Sequence, residues 1–397
     1  MDEEQEIKEL IQELSKKGVW ARKSTKERLV EIGEPALPHL IEKIKYENGW
    51  VVYGVIIDIG EPAVPYLMDA LKTTNDIRLK DKYGNLIGRI GASAIPYLED
   101  ALKDEENRDH IVEILGDIDD ASVIPLLVKA LDDKGDSVRY HSARSLRDIS
   151  QKGHDVSEAV PKLIKMLKGM GSLSAIGAVE ALGKIKDPRA FPHMIEKLRS
   201  ENNSNIVGEA LKEIGKPVVP HLIEALKHEN DATKQRIIVV LGKIRDDSAV
   251  PALIDILVKD KNGELLKAAM EALGKIGDAS SVPVLMNIFR DSEWFQDEAF
   301  EALRINAINL FHKKEYVESL RIIKKLAHIT RNKYPLKNAT DNKKKRILID
   351  SFSDLTQRTK GRINRLDRDE PLKMKRKSVK PEKGKRKDKK NKNRIKH

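Results

Sequence analysis

His193 and Glu196, and again His221 and Glu224, stand three residues apart in neighbouring stretches, with His228 a little further on. In an α-helix that spacing puts both members of a pair on one face. Two such helices packed about 10 Å apart would bring the pairs within reach of one metal ion. Imidazole and carboxylate together suit iron, manganese or zinc. Each pair, however, begins directly after a proline, at Pro192 and Pro220. A histidine in that place also simply sits exposed at the start of a helix. The spacing lacks the converging context that a metal site requires. No metal and no cofactor are therefore expected, and His193, Glu196, His221, Glu224 and His228 stand as the weak candidates. The chain has no cysteine, which removes disulfides, thiolate metal sites and a cysteine nucleophile.

The elements that carry these residues recur along the chain. Prolines preceded by an apolar residue fall at Pro38, Pro65, Pro96, Pro125, Pro161, Pro192, Pro220, Pro251 and Pro283. The interval between them stays between 27 and 36 residues, the signature of a stacked array. After each proline, apolar residues at the second, third and sixth positions draw a helical stripe, as in Leu40, Ile41 and Ile44 or Leu253, Ile254 and Leu257. Proline is tolerated there because first-turn N–H groups have no partner within the helix. A second stripe precedes each proline, for example over residues 174–185 and 264–276. Two linkers join the pair. One is Ile-Gly with proline five residues on, at Gly33, Gly60, Gly91 and Gly215. The other places an aspartate between them, as in Gly183 to Asp187 and Gly274 to Asp278. In both forms the glycine reads as the end of one helix, and the aspartate as a cap for the next. The fifth unit departs from the rule, with a longer connection over residues 150–160 and an expected local change in curvature.

The strings from Glu180 to Ile185 and from Glu271 to Ile276, each reading EALGKI, together with the proline pattern, resemble HEAT repeats of the phycobilisome-lyase-like class. The resemblance covers roughly residues 19–304 and implies an all-α, right-handed α-solenoid of about nine to ten helix pairs, with the second helices lining the concave surface. It leaves function open, since the same architecture serves scaffolds, bilin lyases, deoxyhypusine hydroxylases and a DNA glycosylase class. The hydroxylases carry several adjacent His-Glu pairs as iron ligands. This chain has one such dipeptide, His228-Glu229. The glycosylase-like members hold DNA in a basic concavity, which an acidic groove would repel. No catalytic residue is assigned, and an enzyme is not expected.

Under that resemblance the positions one, four and eight after each proline line the groove. They include His39, Glu42, Tyr66, Asp69, Tyr97, Asp100, Lys129, Lys162, Lys165, His193, Glu196, His221, Glu224 and Asp255. The groove is acidic with tyrosines in its first third, basic in its middle, and rich in His and Glu beyond. Such a surface suits a basic or amphipathic peptide. Read instead as solvated helix positions, the same residues need no partner.

Charge divides the chain sharply. Residues 336–397 hold 24 Lys and Arg against 8 Asp and Glu, whereas residues 1–335 hold 50 against 55. The tail includes Lys375, Arg376, Lys377, Lys385, Arg386, Lys387, Lys389 and Lys390. Its density of charge attracts nucleic acid, ribosomal RNA included, through counterion release. From Pro371 onward too few apolar residues remain to fold alone, so a disordered tail is expected. The reading divides the chain into an N-terminal capping helix (1–18), the repeats (19–304), C-terminal capping helices (305–335), a basic, partly helical segment (336–370) and the tail (371–397). No apolar run is long enough to span a bilayer and no signal peptide is visible, so a cytoplasmic protein without a membrane partner is expected. The expected function is a scaffold or adaptor that binds a protein or peptide in its groove. The competing reading is a nucleic-acid- or ribosome-associated factor that works through its tail. The oligomeric state is not set by any of these features.

Overall fold

A computed structural model of the chain describes residues 3–16, 19–46, 49–169, 171–292, 294–333, 357–358 and 360–362. The candidate tail residues Lys375–Lys390 lie outside the described residues, as does most of the segment 336–370. Among the described residues the regular structure is helical, and consecutive helices pack in chain order. The chain divides into two compact units, Met1–Ala252 and Leu253–His397.

The repeat is built as the proline register predicts, with one refinement. The second helices begin a residue before their prolines, as in Ile124–Ala130, Val160–Met166 and Val219–Ala225, and a single 3-10 turn leads into them, except at Pro65, whose helix Ala63–Thr73 begins two residues before it without such a turn. Proline thus falls in the first turn, where its missing N–H costs nothing. Gly33, Gly60, Gly91 and Gly215 take φ of 70°, 78°, 88° and 80° and end the helices before them, as their positions suggest. The aspartates of the long linker also cap as expected. Asp120, Asp187, Asp246 and Asp278 accept the backbone N–H two residues on.

Gly183 and Gly274 behave otherwise. Their helices, Leu173–Ile185 and Gly263–Ile276, run straight through them and stop two residues later. The left-handed turn falls on Lys186 and Gly277 instead, and on Arg245 in one of the two repeats between them. The two glycines serve packing. A Cβ on Gly183 would lie 3.0 Å from the Ala210 side chain, and one on Gly274 2.8 Å from the Ala302 carbonyl. The connection in the fifth unit is shorter than the sequence suggests, because the helix Asp136–Gln151 extends through Ser150.

In unit Met1–Ala252 the first helices pack most closely on one another over residues 77–185. The core lies between the layers and is aliphatic, with Leu40, Leu67, Leu98, Leu127, Leu163 and Leu222 all buried at one register position. Polar side chains of one repeat also close helix ends one or two repeats earlier. Lys82 donates to Ile44 O at 3.2 Å, Lys152 to Gly116 O and Asp117 O at 3.0 Å, and Arg236 to Leu198 O at 2.9 Å. Each cation thereby meets carbonyls that have no partner within their own helix. The helix Glu3–Lys16 covers the open end of the first repeat with Ile7, Ile11 and Leu14 buried.

In unit Leu253–His397 the helices Gln296–His312 and Tyr316–Lys333 follow the last proline-bearing helix. Asn309 donates to Gly274 O at 2.9 Å, and buried Asn306 donates to Asp278 O at 3.0 Å. These amides do for this unit what lysine and arginine do in the other.

Candidate functional site

The residues expected to line a groove all fall on second helices and are exposed or half-buried. Several are occupied with neighbours. Tyr66 donates to Glu34 at 3.1 Å and Tyr97 to Glu61 at 3.4 Å, so each tyrosine reaches the glutamate of the preceding Ile-Gly-Glu-Pro turn. Lys162 pairs with Asp132 at 2.8 Å, and Asp100 with Lys103 at 2.8 Å. The His221 ring stands edge-on to Phe191 at 5.5 Å. His228 lies 3.3 Å from Glu224, which also pairs with Lys227. His193, Glu196, His221 and Glu224 are not drawn into one cluster. Among the described residues no three His, Asp or Glu side chains converge to hold a metal.

A more structured feature lies on the other layer. Between the first helices Ile77–Ile90, Arg108–Asp117 and Asp136–Gln151 opens a cavity of about 300 Å3. Lys80, Asp81 and Asn85 face it from the first helix, His110, Glu113 and Asp117 from the second, and His141, Arg144 and Asp148 from the third. It continues into a recess lined by Gly88, Arg89, Asp119 and Lys152.

The helices meet there because small residues let them. A Cβ on Gly84 would come within 3.0 Å of the Ile114 side chain, and one on Gly116 within 2.4 Å of Ser145 Oγ. Ser145, drawn in so closely, donates to Val112 O at 2.8 Å. With the backbones this near, longer polar side chains splay around the point of contact and leave the cavity between them.

One carboxylate stands between two imidazoles. His141 Nδ1 is 2.6 Å from Glu113 Oε1, and His110 Nδ1 is 3.6 Å from Glu113 Oε2. Despite this approach, the buried His141 Nδ1 makes no hydrogen bond among the described residues. Around them the charges are unevenly satisfied. Asp148 pairs with Arg147 at 2.8 Å, Lys80 holds Asn107, and Arg144 lies over the Tyr140 ring at 5.6 Å. Among the described residues, the carboxyls of Asp81 and Asp117 take no hydrogen bond or ion pair. Asp117 is exposed at the mouth of the cavity, yet its carboxyl is pushed above the ordinary aspartate range. The packed protein on its inner side is the first cause, and Glu113 and Asp148 add to it against the pull of Lys152.

The cavity was not found from sequence, although a signal was present. His110 and Glu113 repeat the three-residue spacing noted elsewhere, and His141 follows His110 by one repeat of 31 residues. Equal register on neighbouring first helices places them side by side.

HEAT repeats match residues 95–169 and 219–304 of the chain, and the PBS lyase HEAT-like repeat matches residues 175–200. No curated protein sequence matches. Among solved structures, human deoxyhypusine hydroxylase in complex with glycerol is 20% identical with a TM-score of 0.29, over 64% of this chain and 98% of that one. The complex of CpcE and CpcF of phycocyanin lyase from Nostoc sp. is 18% identical with a TM-score of 0.30, over 58% and 93%. An engineered protein is 16% identical with a TM-score of 0.28, over 89% and 98%.

Proposed function

We propose that this chain, a HEAT-repeat protein, is a scaffold that holds a partner protein against the first helices of residues 77–151 and carries out no chemistry of its own. The observation behind this reading is the furrow of polar side chains that runs across three consecutive repeats. Small residues let the first helices of these repeats approach closely, and the furrow follows the line along which they meet, a continuous surface of the kind that repeat proteins use for partners. The second-helix row, from His39 and Glu42 to Asp255, is the weaker contact surface in this proposal. Its tyrosines already bond to Glu34 and Glu61.

The basic tail has its own part in the proposal. Residues 371–397 hold 14 Lys and Arg against 2 Asp and Glu, enough to attach the scaffold to a polyanion such as ribosomal RNA. That charge favours a second reading, a nucleic-acid- or ribosome-associated factor in which the tail is the working part. A nuclease-treated pull-down separates the two. The scaffold reading expects a discrete protein retained by both the full chain and residues 1–335. It fails if everything retained is lost with the nuclease or with the tail.

A further inference from the structure

We propose that Asn262 is a site of spontaneous deamidation, kept latent by the helix it caps and exposed whenever the first turn of Gly263–Ile276 opens. Asn262 and Gly263 form an asparagine–glycine step. Glycine has no side chain to shield its backbone nitrogen or to restrict the rotation that brings this nitrogen to the asparagine amide. In the reaction the Gly263 nitrogen loses its proton and bonds to Asn262 Cγ. The bond from Cγ to Nδ2 breaks, ammonia carries the proton away, and a cyclic imide remains. Water then opens the imide at either of its carbonyls. The product is aspartate, or isoaspartate when the chain is left running through the side-chain carboxyl. Water is the only co-reactant, and nothing is oxidised or reduced.

The hydrogen bonds of Asn262 hold it out of this reaction. Its Oδ1 accepts the Glu264 N–H at 3.0 Å and so caps the helix. Its own N–H donates to Asp260 Oδ1 at 2.9 Å. Its carbonyl oxygen accepts the Leu266 N–H at 3.0 Å. That carbonyl and the Gly263 nitrogen belong to one rigid peptide plane. With ψ at 112° the nitrogen points away from Cβ, so the plane has to turn before the ring can close. Turning it carries the carbonyl away from Leu266 and pulls the cap apart. The Phe295 ring adds cover, since even a Cβ on Gly263 would lie only 3.4 Å from it. Cyclisation therefore waits for the turn to open, and the amide lost at Asn262 counts those openings. Once formed, aspartate still caps the helix, whereas isoaspartate lengthens the main chain at the cap and does not.

The test incubates the full chain in mildly alkaline buffer, folded and in urea, and follows the peptide that carries Asn262 by mass spectrometry. Peptide mapping separates it from the chain's other asparagine–glycine step, Asn48-Gly49. Amide should be lost from Asn262 in urea, and at least about fivefold more slowly in the folded chain, the ratio set by one helix cap. Asn230 caps its own helix but precedes Asp231, so in urea it should lose its amide more slowly than Asn262 does. Asp260→Ala strips the acceptor from the Asn262 N–H. It should raise the folded rate by about threefold and leave the rate in urea unchanged. Circular dichroism should show this variant folded; were it not, the natural chain with and without urea still decides. An amide at Asn262 that survives in urea overturns the inference, as do equal rates in the folded and unfolded chain. A folded rate that Asp260→Ala does not raise overturns it too.

Discussion

Gly116→Ala sets two effects of opposite sign against each other, and the structure says which prevails. Gly116 lies in the helix Arg108–Asp117, where alanine is intrinsically favoured over glycine by about 1 kcal/mol. Yet an added Cβ would meet Ser145 Oγ at 2.4 Å, Ser145 Cβ at 2.5 Å and Ser145 Cα at 3.0 Å. Carbon atoms rest about 3.5–4.0 Å apart, so the helices must separate by about 1 Å. Overpacking of this kind costs about 1–3 kcal/mol. Separation also breaks the buried bond from Ser145 to Val112 O, worth about 1 kcal/mol. The net expectation is a loss of about 1–3 kcal/mol, or roughly 2–4 °C in melting temperature for each kcal/mol in a unit of this size. Urea melts followed by circular dichroism measure it, together with Ser145→Gly and the double variant. Ser145→Gly removes the two nearest of these atoms, Oγ and Cβ, so the double variant should recover at least about 1 kcal/mol relative to additivity. A Gly116→Ala protein as stable as the natural chain, or strictly additive single costs, would refute the argument that this glycine serves close approach.

Lys186→Gly and Arg245→Gly should each stabilise by up to about 1 kcal/mol, since both residues hold left-handed φ of 59° at the helix end where a later repeat has Gly277. Thermal melts check this, and any destabilisation would show that these side chains contribute contacts beyond the turn. Asp246 is buried, and its carboxyl is held below the ordinary aspartate range, chiefly by Ser248. A depressed folded value means that this stabilisation is complete above the unfolded value, near pH 4, and is lost as pH falls through the folded one. Asp246→Asn should therefore cost about 1 kcal/mol at pH 7 and progressively less below about pH 4. A gap independent of pH in melts from pH 7 to 2.5 would refute the assignment. Asn306→Ala should cost about 2 kcal/mol, because it strips buried bonds from Asp278 O and Ser281. A loss below about 0.5 kcal/mol would mean that water replaces the amide.

Most of the fold was legible because most of its rules act within a few residues. Proline excludes itself from helix interiors, so Pro125, Pro161 and Pro220 mark second helices wherever they occur. Gly33 and Gly91 end helices through their own φ, and Asp187 caps through an N–H two residues away. The same local logic misread Gly183 and Gly274, which sit inside their helices for the sake of Ala210 and Ala302 in the next repeat. Nothing in the neighbouring sequence distinguishes a glycine that stops a helix from one that lets another helix approach. The row of groove positions was also readable as to register, and its residues are on the surface as expected. That Tyr66 and Tyr97 turn back to bond Glu34 and Glu61 was not. The cavity lay furthest from sequence reasoning. Asp81, Glu113 and Asp148 come from three successive repeats, and the space between them depends on how closely Gly84 and Gly116 let the helices pack. Periodicity assigns each residue to a helix and a face, because those are properties of a short stretch of backbone. Which faces close upon one another, and which charges are left without partners, is decided by packing between residues about thirty apart.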